Sequence, residues 1–372
     1  MNKKNSKGLP RYFRISARTL LLGALLSGGL LSVPEKAHAD NRSASTISVS
    51  IDSNQNETNL VTAENVQTAN LSDPDTKVNT VWTAGMSELD TKQFTPHPDG
   101  FLHYPYQSNQ GWYNITKSFN GRDNLLCAAA TAGNMLHWWF DQNKEQIDRY
   151  LKEHPEKANI SFRGENFLSI KELINTKGKQ KDSALFTYFQ EKAFPDISRR
   201  NTGLIVDRVL DMFINGYYLS INDLSETNTS NTRKDNRGGV FDHVFGRGDS
   251  HKKLTSRYEL QDQSIEEIGQ LIRRELEAGK ALAISYTYAS IGMAHVVNLW
   301  GADFDQAGQL VAIYVADSDN STDVGMKKYY VGKNKEGHVA ISAQKVEGDV
   351  LGSRLLRLGS LSSGKDMWPA QY

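Results

Sequence analysis

Asn124-Leu125-Leu126-Cys127-Ala128-Ala129-Ala130-Thr131-Ala132-Gly133-Asn134-Met135-Leu136-His137-Trp138-Trp139-Phe140 is the stretch from which the rest of the chain is read. Leu126, Ala129, Ala130, Gly133, Leu136, Trp139 and Phe140 recur at three- and four-residue spacing, and Ile147 continues the series. This predicts a helix from about Leu125 to Leu151, ended by His154-Pro155. Asn124 stands where a side-chain oxygen can accept from a first-turn amide, so it is the expected N-cap. Cys127 then falls in the first turn, where the positive end of the helix dipole favours thiolate. The small residues from Ala128 to Gly133 allow a second element to pack close. Cys127 is also the chain's single cysteine, so no intrachain disulfide can form. Two readings stand: a small buried hydrophobe, or a reactive thiol. The first-turn position favours the second.

Working outward, further helices are expected over about 167–175, 182–193, 203–214 and 264–278, the last with Gly279 as its stop signal. Residues 222–250 are polar and read as a long loop. The texture then changes to short apolar runs: Ala281 to Tyr288, His295 to Trp300, Leu310 to Val315, Lys327 to Val331 and His338 to Ile341. Turn-type clusters separate them, which predicts antiparallel strands. Helices first and strands after give an α+β arrangement.

The N-terminal side reads as an export signal. Lys3, Lys4, Lys7, Arg11, Arg14 and Arg18 precede an apolar stretch from Leu20 to Val33, and Ala37-His38-Ala39 supplies a small-residue cleavage site. Residues 1–39 are therefore a signal peptide, residues 40–76 a flexible polar extension, and residues 77–372 the folded domain. The C-terminus carries no apolar tail or wall-anchor motif, so the expected product is released and extracellular. Forty-three basic side chains balance 43 acidic ones. That argues against nucleic acid or an anionic membrane as partner, since both need clustered positive charge.

A thiolate peptidase needs a base. His137 lies ten residues along the same helix, about 15 Å from Cys127, and cannot reach it. His295 opens an apolar strand between small neighbours. Taken alone it reads as a structural histidine, but pairing geometry strengthens the other reading. A hairpin turn centred near Gln306 sets His295 opposite Asp317 within a residue or so, with Asp319 two further along and on the same face. A carboxylate there orients the imidazole and stabilises its charged form. The competing reading of Asp317-Ser318-Asp319-Asn320 is a solvated turn or cation loop. Lys117, from composition, is an ordinary surface lysine. There is no H-E-x-x-H and no Cys/His cluster, so neither a metal nor a cofactor is expected. Arg247-Gly248-Asp249 could contact an integrin, but in a polar loop it reads first as a turn.

These residues carry a resemblance. Gly111 to Lys117, Asn124 to Phe140, Asp211 to Tyr217, His295 to Asp303 and Tyr314 to Asp319 resemble the streptococcal IgG-degrading cysteine protease family (the IdeS/Mac group). The resemblance runs from about Val81 to Leu361. It implies a papain-like fold, with a helical lobe bearing the nucleophile packed against an antiparallel β lobe, and a secreted protein that cuts immunoglobulin G heavy chains at a single site in the lower hinge; a monomer is expected. By that resemblance Cys127 is the nucleophile, His295 the general base, Asp317 its orienting residue and Asp319 a supporting acid. Lys117 corresponds to the lysine that helps form the oxyanion hole together with the Cys127 amide. One departure is Ala128, where the family usually has glycine. Its methyl group is expected to narrow the cleft. Two rival expectations are a peptidase acting on another immunoglobulin class or host protein, and a binder that covers IgG or its receptors without cutting.

Overall fold

The computed structural model describes residues 78–118, 123–162, 165–174, 183–194, 203–216, 239–246, 252–287, 294–319, 325–345 and 352–372. The expected signal peptide, the extension over 40–76 and Arg247-Gly248-Asp249 lie outside them. So does the 222–250 loop, apart from 239–246.

Three short strands come first, β1 (Asn79–Trp82), β2 (Thr95–Pro96) and β3 (Leu102–Pro105). The helical stretch follows as α1 (Cys127–Gln142) and α2 (Lys144–Glu153). A single helix was expected here. It breaks at Asn143, whose Nδ2 donates back to the Trp139 carbonyl and to the Ser363 carbonyl, both at 2.9 Å. The expected helix over 167–175 is shortened at its start, where 167–169 are strand. β4 (Asn159–Phe162) pairs with β5 (Glu165–Ser169), and only α3 (Ile170–Ile174) is helical. The expected 182–193 helix is present as α4 (Ala184–Tyr188), which continues as a π-helical turn over Phe189–Ala193.

α5 (Val206–Asn215) closes on Gly216 at φ 72°, a left-handed cap that suits glycine. Part of the expected long loop is instead α6 (Asp242–Phe245), with Val244 and Phe245 buried. Then come β6 (Thr255–Glu259) and α7 (Ile265–Glu277). α7 begins with a reciprocal capping box between Ser264 and Glu267. The remaining strands are β7 (Ala281–Thr287), β8 (Ala294–Phe304), β9 (Leu310–Ala316), β10 (Gly325–Lys333), β11 (Val339–Ser342) and β12 (Ser353–Leu361).

All pairings among the described residues are antiparallel. β8 pairs with β7, β7 with β12, β12 with β11, β11 with β10, β10 with β9, and β9 with β8 again, closing a six-stranded barrel. β1, β3 and β6 add to it through β8, β10 and β12. The expected papain-like arrangement of a helical lobe against a separate β lobe is therefore overturned. The described chain is mostly a β-barrel with few helices, several of them a single turn. An open antiparallel sheet and a closed one use the same alternation, so closure is invisible until the long-range pairs are known.

Strand alternation sorts the core into two layers. Leu282, Ile284, Val297, Leu299, Ile313, Val315 and Leu358 join Ile268, Ile272 and Leu276 of α7 in one cluster. Ala283, Trp300, Tyr314 and Ala316 face the other way and pack with α1 and an aromatic group that includes Trp138, Trp139, Phe213, Phe241 and Trp368. α1 is buried from Ala128 to Phe140, so it is a core helix with no wet face. Where β1 crosses β8, a Cβ on Gly301 would meet Trp82 Cε3 at 2.2 Å, so only glycine fits there.

Candidate active site

Cys127 opens α1. The expected Asn124 cap is not made: the N-cap position is Leu126, with no side-chain hydrogen bond to the first turn. Instead the Leu126 amide donates to the Asp123 carbonyl at 2.9 Å. The Asp123 carboxylate accepts from the Ser118 amide at 2.5 Å and the Ser118 hydroxyl at 2.8 Å. This ties the segment bearing Lys117 to the start of α1. Cys127 and Asp319 are partly exposed, whereas Lys117, His295 and Asp317 are buried.

His295 is the second residue of β8, and Asp317 follows the end of β9 directly, so both stand at one rim of the barrel. The His295 ring donates from Nε2 to Asp317 Oδ1 at 2.8 Å. That oxygen also accepts the Asp319 amide at 2.9 Å. With Nε2 so engaged, Nδ1 is the nitrogen left for Cys127, with which the ring forms a side-chain hydrogen bond. Asp319 Oδ2 lies 3.8 Å from the same Nδ1. The Lys117 ammonium sits 2.7 Å from Asp319 Oδ1 and donates to the Asn124 carbonyl at 3.1 Å. It is 3% exposed, so the expectation of an ordinary surface lysine is overturned. Its own amide donates to the Ser318 carbonyl at 2.7 Å.

Five charged or chargeable groups thus share a small volume, and together they set the protonation of Cys127, His295, Lys117 and Asp317. Burial works against a charged imidazole, but Asp319, Asp317 and the thiol outweigh it and hold the His295 pKa well above its ordinary value. Burial likewise opposes thiolate, but the His295 hydrogen bond and charge, with Lys117, bring Cys127 down. Burial opposes the Lys117 charge, and Asp319, Cys127 and Asp317 override it upward. Asp317, despite burial, is held far below the carboxylate range by His295. Together these shifts favour a thiolate–imidazolium pair over thiol and neutral imidazole.

A family description, Mac 1, matches residues 27–368 of this chain. The chain belongs to the Mac-1 family. It is also 31% identical over 280 residues to the IgM protease of Streptococcus suis (strain P1/7), a match covering 73% of this chain and 23% of that protein. The chain thus spans only about a quarter of the length of the relative it matches.

In this Mac-1 chain the five residues expected at the site, Cys127, His295, Asp317, Asp319 and Lys117, are brought together. His137 is not among them: its Nε2 meets Ser183 Oγ at 2.9 Å, and burial lowers its pKa to about 4. Ala128 is 1% exposed and belongs to the core cluster. Its methyl is taken up by packing, which removes the reason for expecting a narrowed cleft. Elsewhere, His97, Asp99 and His103 offer ligand atoms within 4.8 Å of one another. The Lys327 ammonium already sits 3.1 Å from Asp99, however, and takes a cation's place there. Sequence reasoning missed Asp123, Asn134, Asn298 and Tyr286. Tyr286 is the cross-strand partner of His295 and packs edge-on against its ring, with centroids 5.6 Å apart. The β7–β8 hairpin pattern was the signal that could have found it.

Proposed function

We propose that this chain is a secreted cysteine endopeptidase that cuts immunoglobulin G heavy chains at the lower hinge. The observation that carries the reading is the Cys127–His295–Asp317 chain, built on the single cysteine of the protein and closed by the 2.8 Å imidazole–carboxylate bond. The Cys127 thiolate attacks the scissile carbonyl. The developing oxyanion is met by the Cys127 amide, which has no intrahelical acceptor at the start of α1, and by the Lys117 ammonium. His295 returns its proton from Nδ1 to the leaving amine, and water then releases the acyl-enzyme. Asp317 keeps the ring oriented, and Asp319 holds Lys117 in place. Export is supported by the charged, apolar and small-residue pattern of residues 1–39.

A second reading, cleavage of IgM, draws on the name of the Streptococcus suis relative. Both are tested by incubating intact IgG and intact IgM with the chain and with Cys127→Ala, followed by gel analysis. Discrete F(ab′)₂ and Fc fragments from IgG with the wild type alone are the expected result. Cutting of IgM alone moves the substrate to the second reading. Cutting of neither, or equal cutting by Cys127→Ala, overturns the assignment.

A further inference from the structure

Behind the reactive groups, two buried asparagines form a bridge that the chemistry above does not use. Asn134 lies seven residues into α1, two turns beyond Cys127. Asn298 lies three residues beyond His295 on β8. The Ile115 amide donates to Asn134 Oδ1 at 2.9 Å, Asn134 Nδ2 donates to Asn298 Oδ1 at 2.8 Å, and Asn298 Nδ2 donates to the Thr131 carbonyl at 3.1 Å. Ile115 is two residues from Lys117. One chain of amides therefore joins the three segments that carry Lys117, Cys127 and His295. Both side chains are essentially inaccessible, at 1% and 0% exposure. Packing alone would favour Leu or Met at such positions, since a buried amide is costly unless fully bonded.

The direction of the bridge is also fixed. An N–H at the Ile115 end and a C=O at the Thr131 end allow only one orientation of each amide in between, so the segments lock in one register. Close approach is built in beside it: a Cβ on Gly133 would meet Ile115 Cδ1 at 2.7 Å. We propose that Asn134 and Asn298 are positioning residues for the peptidase site, setting the distance between the Cys127 helix, the His295 strand and the Lys117 segment. This rests on the peptidase reading, and its test is chosen to stand apart from it.

The test uses the full chain carrying Asn298→Leu or Asn298→Asp. Because Cys127 is the single cysteine, iodoacetamide labelling reports on it alone. Labelling is measured across pH beside kcat, KM and Tm. Asn298→Leu keeps the volume and removes the bridge. Its labelling midpoint should rise by about one unit, slowing labelling in mild acid by about tenfold. Its kcat should fall by about a hundredfold, as expected of an ångström-scale misplacement, with KM nearly unchanged. Asn298→Asp should recover toward wild type in acid, where a protonated carboxyl can again donate to the Thr131 carbonyl, and lose this as pH rises. If Asn298→Leu does not fold, Asn298→Asp decides by the same readouts. A folded variant with lowered Tm but the wild-type labelling profile and kcat overturns the proposal and leaves the bridge a packing feature. Should the wild type cut no immunoglobulin, the peptidase reading falls, and the labelling profile still decides this one.

Discussion

Replacing Asp317 by asparagine separates the charge of His295's partner from its shape. The substituted amide keeps an oxygen able to accept both the His295 Nε2–H, now at 2.8 Å, and the Asp319 amide, now at 2.9 Å. Only the negative charge goes. Hydrogen bonds to charged groups contribute about 1.5–3 kcal/mol against about 0.5–1.5 kcal/mol for neutral ones, a difference of about 1–1.5 kcal/mol, or roughly one pH unit. The signs follow from the two shifts. The His295 pKa is raised, so its charged form is present below the ordinary value and is lost as pH rises through the folded one. Weakening the partner moves that upper limb down by about one unit. The Cys127 pKa is lowered chiefly through His295, so the lower limb, where thiolate appears, moves up. Asp317→Asn should narrow the active window from both sides. Asp317→Ala should do far more, because a buried imidazolium that loses its hydrogen-bonded carboxylate costs about 3–5 kcal/mol, a loss of about 10²–10³-fold or more. The assay is iodoacetamide labelling of Cys127 across pH, run beside immunoglobulin cleavage. Limbs of Asp317→Asn that coincide with wild type, or an Asp317→Ala no worse than Asp317→Asn, would mean that the Asp317 charge sets neither protonation.

Two further outcomes follow from the same structure. Lys117→Met removes the ammonium 2.7 Å from Asp319 and should lower kcat by about 10²–10³-fold with KM little changed. A raised KM with kcat intact would assign the lysine to substrate binding instead. Asp211 on α5 is held up to about 7, by burial first and the nearby Asp207 second, against a Thr255 hydrogen bond. The folded chain keeps that proton where the unfolded chain, at 3.8, has released it. Stability should therefore fall as pH rises from 3.8 to about 7 and level off above. Urea melts of wild type and Asp211→Asn on both sides of that window should show the slope in the wild type alone. An equal slope in both would place the titration elsewhere.

The elements most legible in the sequence are those whose ends carry chemistry. α7 lies within a residue of its expected span because Ser264 and Glu267 start it and Gly279 stops it. The apolar runs of β7, β8, β9 and β10 announce themselves by β-branched and aromatic content. β12, which completes the barrel, and β6, which pairs beside it, do not. β6, Thr255-Ser256-Arg257-Tyr258-Glu259, buries only its first residue, and β12 carries Arg354 and Arg357 among its apolar positions. Such half-wet strands look like loop in isolation, and without β12 the ring has no way to close. The opposite error arose at 167–175. Leu168, Ile170 and Leu173 fit a helical spacing, and 170–174 follow it, but the pairing of β4 with β5 outweighs it over 167–169.

The site survived an incorrect register, and the reason is parity. The β8–β9 turn is tied by Asp305 and Gln309 and centred one residue beyond Gln306, which displaces cross-strand partners by two. Continued past Ala316, this register sets Asp319 opposite His295 and leaves Asp317 two residues back. Facing repeats every two residues along a strand, so a displacement of two keeps both acids on the face of His295, whereas a displacement of one would have turned them away. Asn134 and Asn298 had no such protection. In sequence an asparagine signals a cap or a turn, and these two mean something else only because their partners arrive from 19 and 164 residues away. Cys127 is legible because its chemistry is rare in the chain, and His295 and its acids because strand pairing points them at one another. The amides that hold them in register are common residue types, and they acquire a role only once the fold has brought the three segments together.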